Sequence, residues 1–172
     1  MAFASGRSDT MKTRATYEDL LAVPDDKVAE ILDGELFVSP RPAVPHARTS
    51  SVLGNEIGGP FDRGRGGPGG WWVLDEPELH LGDDVLVPDL AAWRRERLPT
   101  LPKAAFFTLA PDWVCDVVSP STEQIDRRRK QPIYAREGVS HLWLLAATHA
   151  GAERARAEPF EALELELAAL WI

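Results

Sequence analysis

Short apolar runs punctuated by turn residues dominate this chain, and three helical patterns interrupt them. Val28–Leu32 and Glu35–Val38 flank Asp33-Gly34. An Asp-Gly pair in that setting predicts a β-hairpin, because both turn positions tolerate positive φ. Before it, Thr16 with Asp19 three residues on has the spacing of a capping box, so a short helix carries Leu20 and Leu21 until Pro24-Asp25-Asp26 stops it. Pro40, Pro42 and Pro45 then predict an extended link to His46. Val52, Leu53 and Ile57 recur at helical spacing, which predicts a helix over 46–57.

Further on, Trp71–Leu74 and Glu78–Leu81 read as one strand bulged at Pro77. Gly82-Asp83-Asp84 turns the chain into a second strand, Val85–Trp93, which carries Pro88-Asp89. Between the helix over 46–57 and these strands, the glycine-rich stretch 63–70 reads as a flexible link. It lacks the Gly-Lys-Ser/Thr ending and the preceding strand of a phosphate-cradling loop. The segment 113–143 reads as buried strand, turn, charged helix and buried strand. Ser121 and Gln124 have capping-box spacing for that helix. Pro132, just after Lys130, predicts a kink, since a proline inside a helix removes a hydrogen bond and costs ~3 kcal/mol.

Composition narrows the setting. At 172 residues and 44% hydrophobic, the chain can bury one core, so residues 16–172 are expected to form one domain behind a loose segment, 1–15. Nineteen Lys and Arg stand against 27 Asp and Glu, a net charge of −8, so no global basic field steers the protein to nucleic acid. Cys115 is the single cysteine, which excludes an internal disulfide and suits the cytoplasm. No apolar run approaches the ~20 residues a membrane span needs, so no membrane partner is expected.

Individual residues leave alternatives open. Asp116 interrupts an otherwise apolar strand; it is either paired in the interior or on a solvated face. Asp89 could be a site acid or an ordinary strand terminator. Lys130 lies four residues after Asp126, the spacing of a surface ion pair worth ~0.2–0.5 kcal/mol. His46 could bind a ligand or sit solvated at a helix start, and Glu30 has the same ambiguity as Asp116.

Taken together, Tyr17–Leu21, Glu30–Leu36, Ser39-Pro40, His46, Val87-Pro88-Asp89, Asp116–Thr122, Asp126, Lys130, Tyr134, Gly138-Val139 and Leu142-Trp143 resemble the Uma-two family of restriction-endonuclease-like proteins, within the PD-(D/E)XK nuclease superfamily. The resemblance implies an α+β fold: a mixed central sheet flanked by helices, restriction-endonuclease-like, with an N-terminal β-hairpin. It further implies that Asp89 is the Pro-Asp acid and that Asp116 fills the second acidic position, where relatives usually carry Glu. Lys130 looks like the catalytic lysine moved onto the neighbouring helix, since Val118 occupies the usual lysine position. Glu30 matches an N-terminal acid that completes such sites. In relatives a further strand pair separates the segments around Trp143 and Phe160. Its loss here exposes an edge that a second copy could cover, while the apolar tail from Phe160 to Trp171 packs on the core or across that interface.

The chemistry expected from this pattern is phosphodiester hydrolysis. Mg²⁺, or Mn²⁺ in its place, held by Asp89, Asp116 and the Val117 carbonyl would polarise the phosphoryl group, and Lys130 would orient water. His46, Ser119 and Arg127 are candidate substrate contacts. The expected partners are DNA, with RNA not separated from it by these residues, and a second copy in a homodimer. Two other readings compete: a nuclease-fold module that has lost catalysis and binds DNA or protein, and a structural protein that self-associates through its edge and tail.

Overall fold

The computed structural model describes residues 13–119, 122–146 and 153–171. Helix α1 (Tyr17–Leu21) has its capping box complete, with the Thr16 side chain accepting from the Asp19 N–H and the Asp19 side chain accepting from the Thr16 N–H. Strands β1 (Lys27–Leu32) and β2 (Glu35–Pro40) form the expected hairpin, with Leu32 opposite Glu35. Asp33 and Gly34 have φ of 53° and 81°, the left-handed pair that such a two-residue turn requires. The segment expected to be loose, 1–15, is described only from residue 13. There the Ala15 N–H donates to the Gly34 carbonyl at 2.8 Å.

Helix α2 (Val44–Ile57) starts two residues before the predicted boundary, with Pro45 in its first turn, where a proline's missing N–H is no loss. It buries Thr49, Leu53 and Ile57. Gly54 lets the helix lie close to its neighbours, because a Cβ there would meet Asp75 Oδ1 at 3.1 Å and Leu90 Cδ2 at 3.2 Å. The helix runs on into a π-helical turn, Gly58–Asp62. The glycine-rich stretch is not a loose link. The Arg65 and Gly69 N–H groups donate to the Gly59 and Pro60 carbonyls, each at 2.9 Å, and the Gly70 carbonyl accepts from Arg95 at 2.8 Å.

The remaining described strands are β3 (Trp71–Asp75), β4 (Glu78–Leu81), β5 (Asp84–Leu86), β6 (Leu90–Arg94), β7 (Phe106–Phe107), β8 (Trp113–Val118), β9 (His141–Ala146), β10 (Arg154–Ala155) and β11 (Leu165–Glu166). One sheet has the order β2-β1-β5-β4-β7, a second β3-β6-β8-β9, and β10 pairs with β11. Most pairings are antiparallel, but β8 and β9 run parallel, as do β4 and β7.

The sequence reading joined 71–81 and 85–93 into single strands; the structure divides both. Pro77 and Pro88 lack the N–H needed to continue a ladder, and Glu76 turns with φ 43°. Each strand therefore leaves one sheet and enters the other. The two breaks face each other, joined by the Glu76 N–H and the Asp89 carbonyl at 3.1 Å. Asp89 is thereby fixed where the sheets fork.

Between β8 and β9 lie α3 (Glu123–Ile125), a π-helical segment (Asp126–Lys130) and α4 (Gln131–Arg136). The expected cap, Ser121, lies outside the described residues. Ser119 supports the helix start instead, its Oγ accepting from the Thr122 N–H at 3.2 Å and its carbonyl from the Glu123 N–H at 2.9 Å. Around Pro132 the helix widens without ending: the Gln131 N–H reaches back to the Asp126 carbonyl, five residues away, just before the proline that cannot donate. Arg136 pairs with Asp84 and with Asp33, the latter at 3.5 Å, and Arg129 reaches Glu35 at 3.5 Å. These pairs fasten the helical segment to the hairpin turn and β5.

The tail packs back on the core, the first of the two expected arrangements. Phe160, 1% exposed, lies 4.6 Å from the Phe61 ring centroid and 5.0 Å from those of Trp71 and Trp113. Thr49 Oγ1 on α2 donates to the Leu170 carbonyl at 2.7 Å. Among the described residues, no helix is long and apolar enough to cross a membrane.

Candidate active site

The β6–β8 register brings the two predicted acids together. Leu90 stands opposite Cys115, so Asp89 and Asp116 flank the next position along the pair. A cleft of about 440 Å³ opens there, lined in part by Glu30, His46, Asp89, Asp116, Asp126 and Lys130. Residues far apart in sequence reach it because β1, the start of α2, the break before β6, the end of β8 and the π-helical segment all meet at the fork.

Asp116 is 2% exposed and Lys130 4%, so the solvated alternatives for both are excluded. Lys130 Nζ donates to Asp116 Oδ1 at 2.9 Å and lies 3.2 Å from Glu30 Oε1 and 3.7 Å from Asp126 Oδ1. It also donates to the Val87 carbonyl at 3.4 Å. Glu30 Oε1 in turn accepts the Val87 N–H at 2.8 Å, which ties the side chain of β1 to the strand break. The proline after Lys130 therefore leaves the ammonium aimed at Asp116.

Asp89 stands nearer the mouth of the cleft. Its Oδ1 is 2.6 Å from His46 Nε2 and its Oδ2 accepts the Val117 N–H at 2.6 Å. Ser119 lines the cleft wall, whereas Arg127 does not line it; Arg127 lies on the exposed side of its helix, paired with Glu123 at 2.9 Å.

Burial and charge act against each other here. Burial raises the Asp116 carboxyl to about 7, against the opposing pull of Lys130. Lys130 feels burial in the other direction, but Asp116, Glu30 and their neighbours overcome it and hold its pKa well above the ordinary value. His46 is raised chiefly by its hydrogen bond to Asp89, and Asp126 chiefly by burial. Burial also pushes the Cys115 thiol up, so it stays protonated and is a poor nucleophile.

Two groups at the site escaped the sequence reading of its chemistry. Asp126 was read as half of a surface pair, yet it is 5% exposed and faces the cleft. Tyr134, one helical turn after Lys130, is 1% exposed. Its place in the family resemblance was the only signal that pointed to it. Asp116 Oδ2 and Tyr134 Oη are both buried without a hydrogen-bond partner.

The residues can be tested for fit to a cation. Among the described residues, no three His, Cys, Asp or Glu side chains form a group able to hold a metal, so the protein alone builds no closed cage. Mg²⁺ keeps several waters and takes one or two carboxylates with substrate phosphate. Asp89, Asp116 and the Val117 carbonyl are donors of that kind. The orphaned Asp116 Oδ2 is the atom that a hard cation would satisfy. The donor set fits.

The Uma2 family, described as "Putative restriction endonuclease", matches residues 14–167. The fold is similar to the crystal structure of a protein from Anabaena variabilis described as a putative nuclease belonging to DUF820. The TM-score is 0.72 at 20% sequence identity, with 91% of this chain and 97% of that chain covered. No curated protein matches. With nearly the whole length matched, this chain belongs to the Uma2 family.

Proposed function

We propose that this protein is a Mg²⁺-dependent nuclease that hydrolyses DNA phosphodiester bonds, as restriction endonucleases do. The observation that carries the reading is the buried Lys130 ammonium, 2.9 Å from Asp116 and 3.2 Å from Glu30, on the floor of a cleft whose mouth holds Asp89. Asp89, Asp116 and the Val117 carbonyl would hold Mg²⁺, or Mn²⁺ in its place; when bound, the cation supplies Lewis acidity and lowers the pKa of water. Lys130 orients the attacking water and offsets negative charge growing on the phosphoryl oxygens. Glu30 fixes Lys130 in that direction. His46 and Ser119 contact substrate from the cleft wall, and Arg127 is left to a flanking phosphate. The net charge of −8 makes the cation necessary for DNA to approach these carboxylates, and binding should weaken steeply with salt.

A homodimer suits this reading. Strand β9 ends the second sheet among the described residues, and cutting both strands of a duplex takes two sites. A DNA substrate and a lone cysteine both belong in the cytoplasm.

The test is cleavage of plasmid DNA in Mg²⁺ by wild type and Asp89→Asn, with circular dichroism to check the fold. Cleavage should vanish in a folded variant. Cleavage at the wild-type rate would sink the assignment.

A second reading, a nuclease-fold module without catalysis, draws on the His46 ring at 2.6 Å from Asp89 Oδ1, where it competes with a cation. It requires that calorimetric titration of Mn²⁺ show no binding. Saturable binding lost in Asp89→Ala would dismiss it.

A further inference from the structure

Two of the buried atoms without a partner belong to neighbouring side chains, and the nuclease reading uses only one of them. Asp116 Oδ1 is held by Lys130 at 2.9 Å, while its Oδ2 and the Tyr134 hydroxyl are both unpartnered. Tyr134 follows Lys130 by one helical turn, so the two side chains share a helix face. Its ring packs in the cluster with Val114 and Ile133, and Val114 lies on the same face of β8 as Asp116. A tyrosine whose task was only to fill this cluster would gain nothing from its hydroxyl, because a buried O–H without a partner is destabilising. Phenylalanine would fill the same space without that cost.

Cation-binding carboxylates are themselves held by outer hydrogen bonds, and their loss typically weakens metal affinity ~10–100-fold. A carboxylate oxygen accepts more than one such contact. Resting on the nuclease reading, we infer that Tyr134 is a positioning residue of the cation site, its hydroxyl donating across one ordered solvent molecule to Asp116 Oδ2. Both atoms are buried and neither has a protein partner, so one solvent molecule between them would satisfy both. Lys130 and Tyr134 thus grip the carboxylate from its two oxygens, which fixes the plane in which Asp116 meets the cation. Burial above all, and the Asp116 charge after it, push the Tyr134 hydroxyl well above its ordinary value.

The experiment is calorimetric titration of Mn²⁺ into wild type, Tyr134→Phe and Ile133→Val, with the metal-free melting temperature of each. Ile133 is fully buried beside Tyr134, and its truncation disturbs packing without touching the hydroxyl. The expected result is Mn²⁺ affinity lowered about 10–100-fold in Tyr134→Phe and unchanged in Ile133→Val. Equal affinity in wild type and Tyr134→Phe would overturn the inference and leave the nuclease reading standing. A similar loss in Ile133→Val would also overturn it, since packing alone would then account for the effect. Failure of wild type to bind Mn²⁺ would remove the nuclease reading and this inference together.

Discussion

The two faces of β8 are held by different physics. Trp113 and Cys115 point to one side, into a cluster with Phe61, Trp71 and Phe160. Val114 and Asp116 point to the other, where Val114 joins the cluster containing Tyr134 and Asp116 meets Lys130. On the first face stability comes from area and shape, spread over many weak contacts. On the second it depends on completeness: a buried charge is tolerable only while its partners are in place. Nearly all of the proposed chemistry lies on the second face, and the tail that covers the first has no part in it.

The largest effect should come from breaking the apolar face. Phe160→Ala removes a ring in contact with four other aromatic rings and should cost about 3–5 kcal/mol, the usual range for a fully buried Phe. Urea denaturation monitored by tryptophan fluorescence would measure it. A loss under ~1 kcal/mol would mean that the tail is a detachable cover and not part of the core.

That contrast also explains what the sequence disclosed. The Asp33-Gly34 hairpin and the Thr16–Asp19 cap were legible because each depends on a few adjacent residues. Which sheet a strand joins depends on its distant neighbours. Pro77 therefore reads as a bulge and Pro88 as part of one continuous strand, although both hand the chain from one sheet to the other and so place Asp89. The Asp126–Lys130 spacing is the same for a surface pair and a buried one; only the arrival of β1 and β8 decides between them. The Val117 N–H that orients Asp89 belongs to the main chain, so no side chain could have announced it. The tail was legible as apolar, but its seat among Trp71, Trp113 and Trp143 required the fold.

An intermediate effect separates the faces by pH. Burial holds the Asp116 carboxyl at about 7 against an ordinary 3.8, so between those values the folded protein keeps a proton that the unfolded chain releases. The stability supplied by that proton is complete below the unfolded value and is gone once pH passes about 7. Asp116→Asn lacks this titration. Relative to wild type, its melting temperature should therefore rise as pH goes from 5 to 8, whereas Phe160→Ala should keep a constant gap. A pH-independent gap for Asp116→Asn would show that Asp116 stays ionised throughout, with Lys130 stronger than burial.

The smallest effect belongs to a charge outside both faces. Arg127 pairs with Glu123 at 2.9 Å, both side chains about half exposed, and such a helical pair contributes about 0.3–0.5 kcal/mol. Arg127→Ala should lower stability by no more than that. Removing one phosphate contact would change the slope of log affinity against log salt by about 0.9, so titrating a labelled duplex at several salt concentrations gives Arg127 a separate test. An unchanged slope would assign it to the helix surface and confine substrate contacts to the cleft wall, where His46 and Ser119 stand. A slope reduced by about one contact would extend the DNA track past the cleft, along the exposed side of the helix that delivers Lys130.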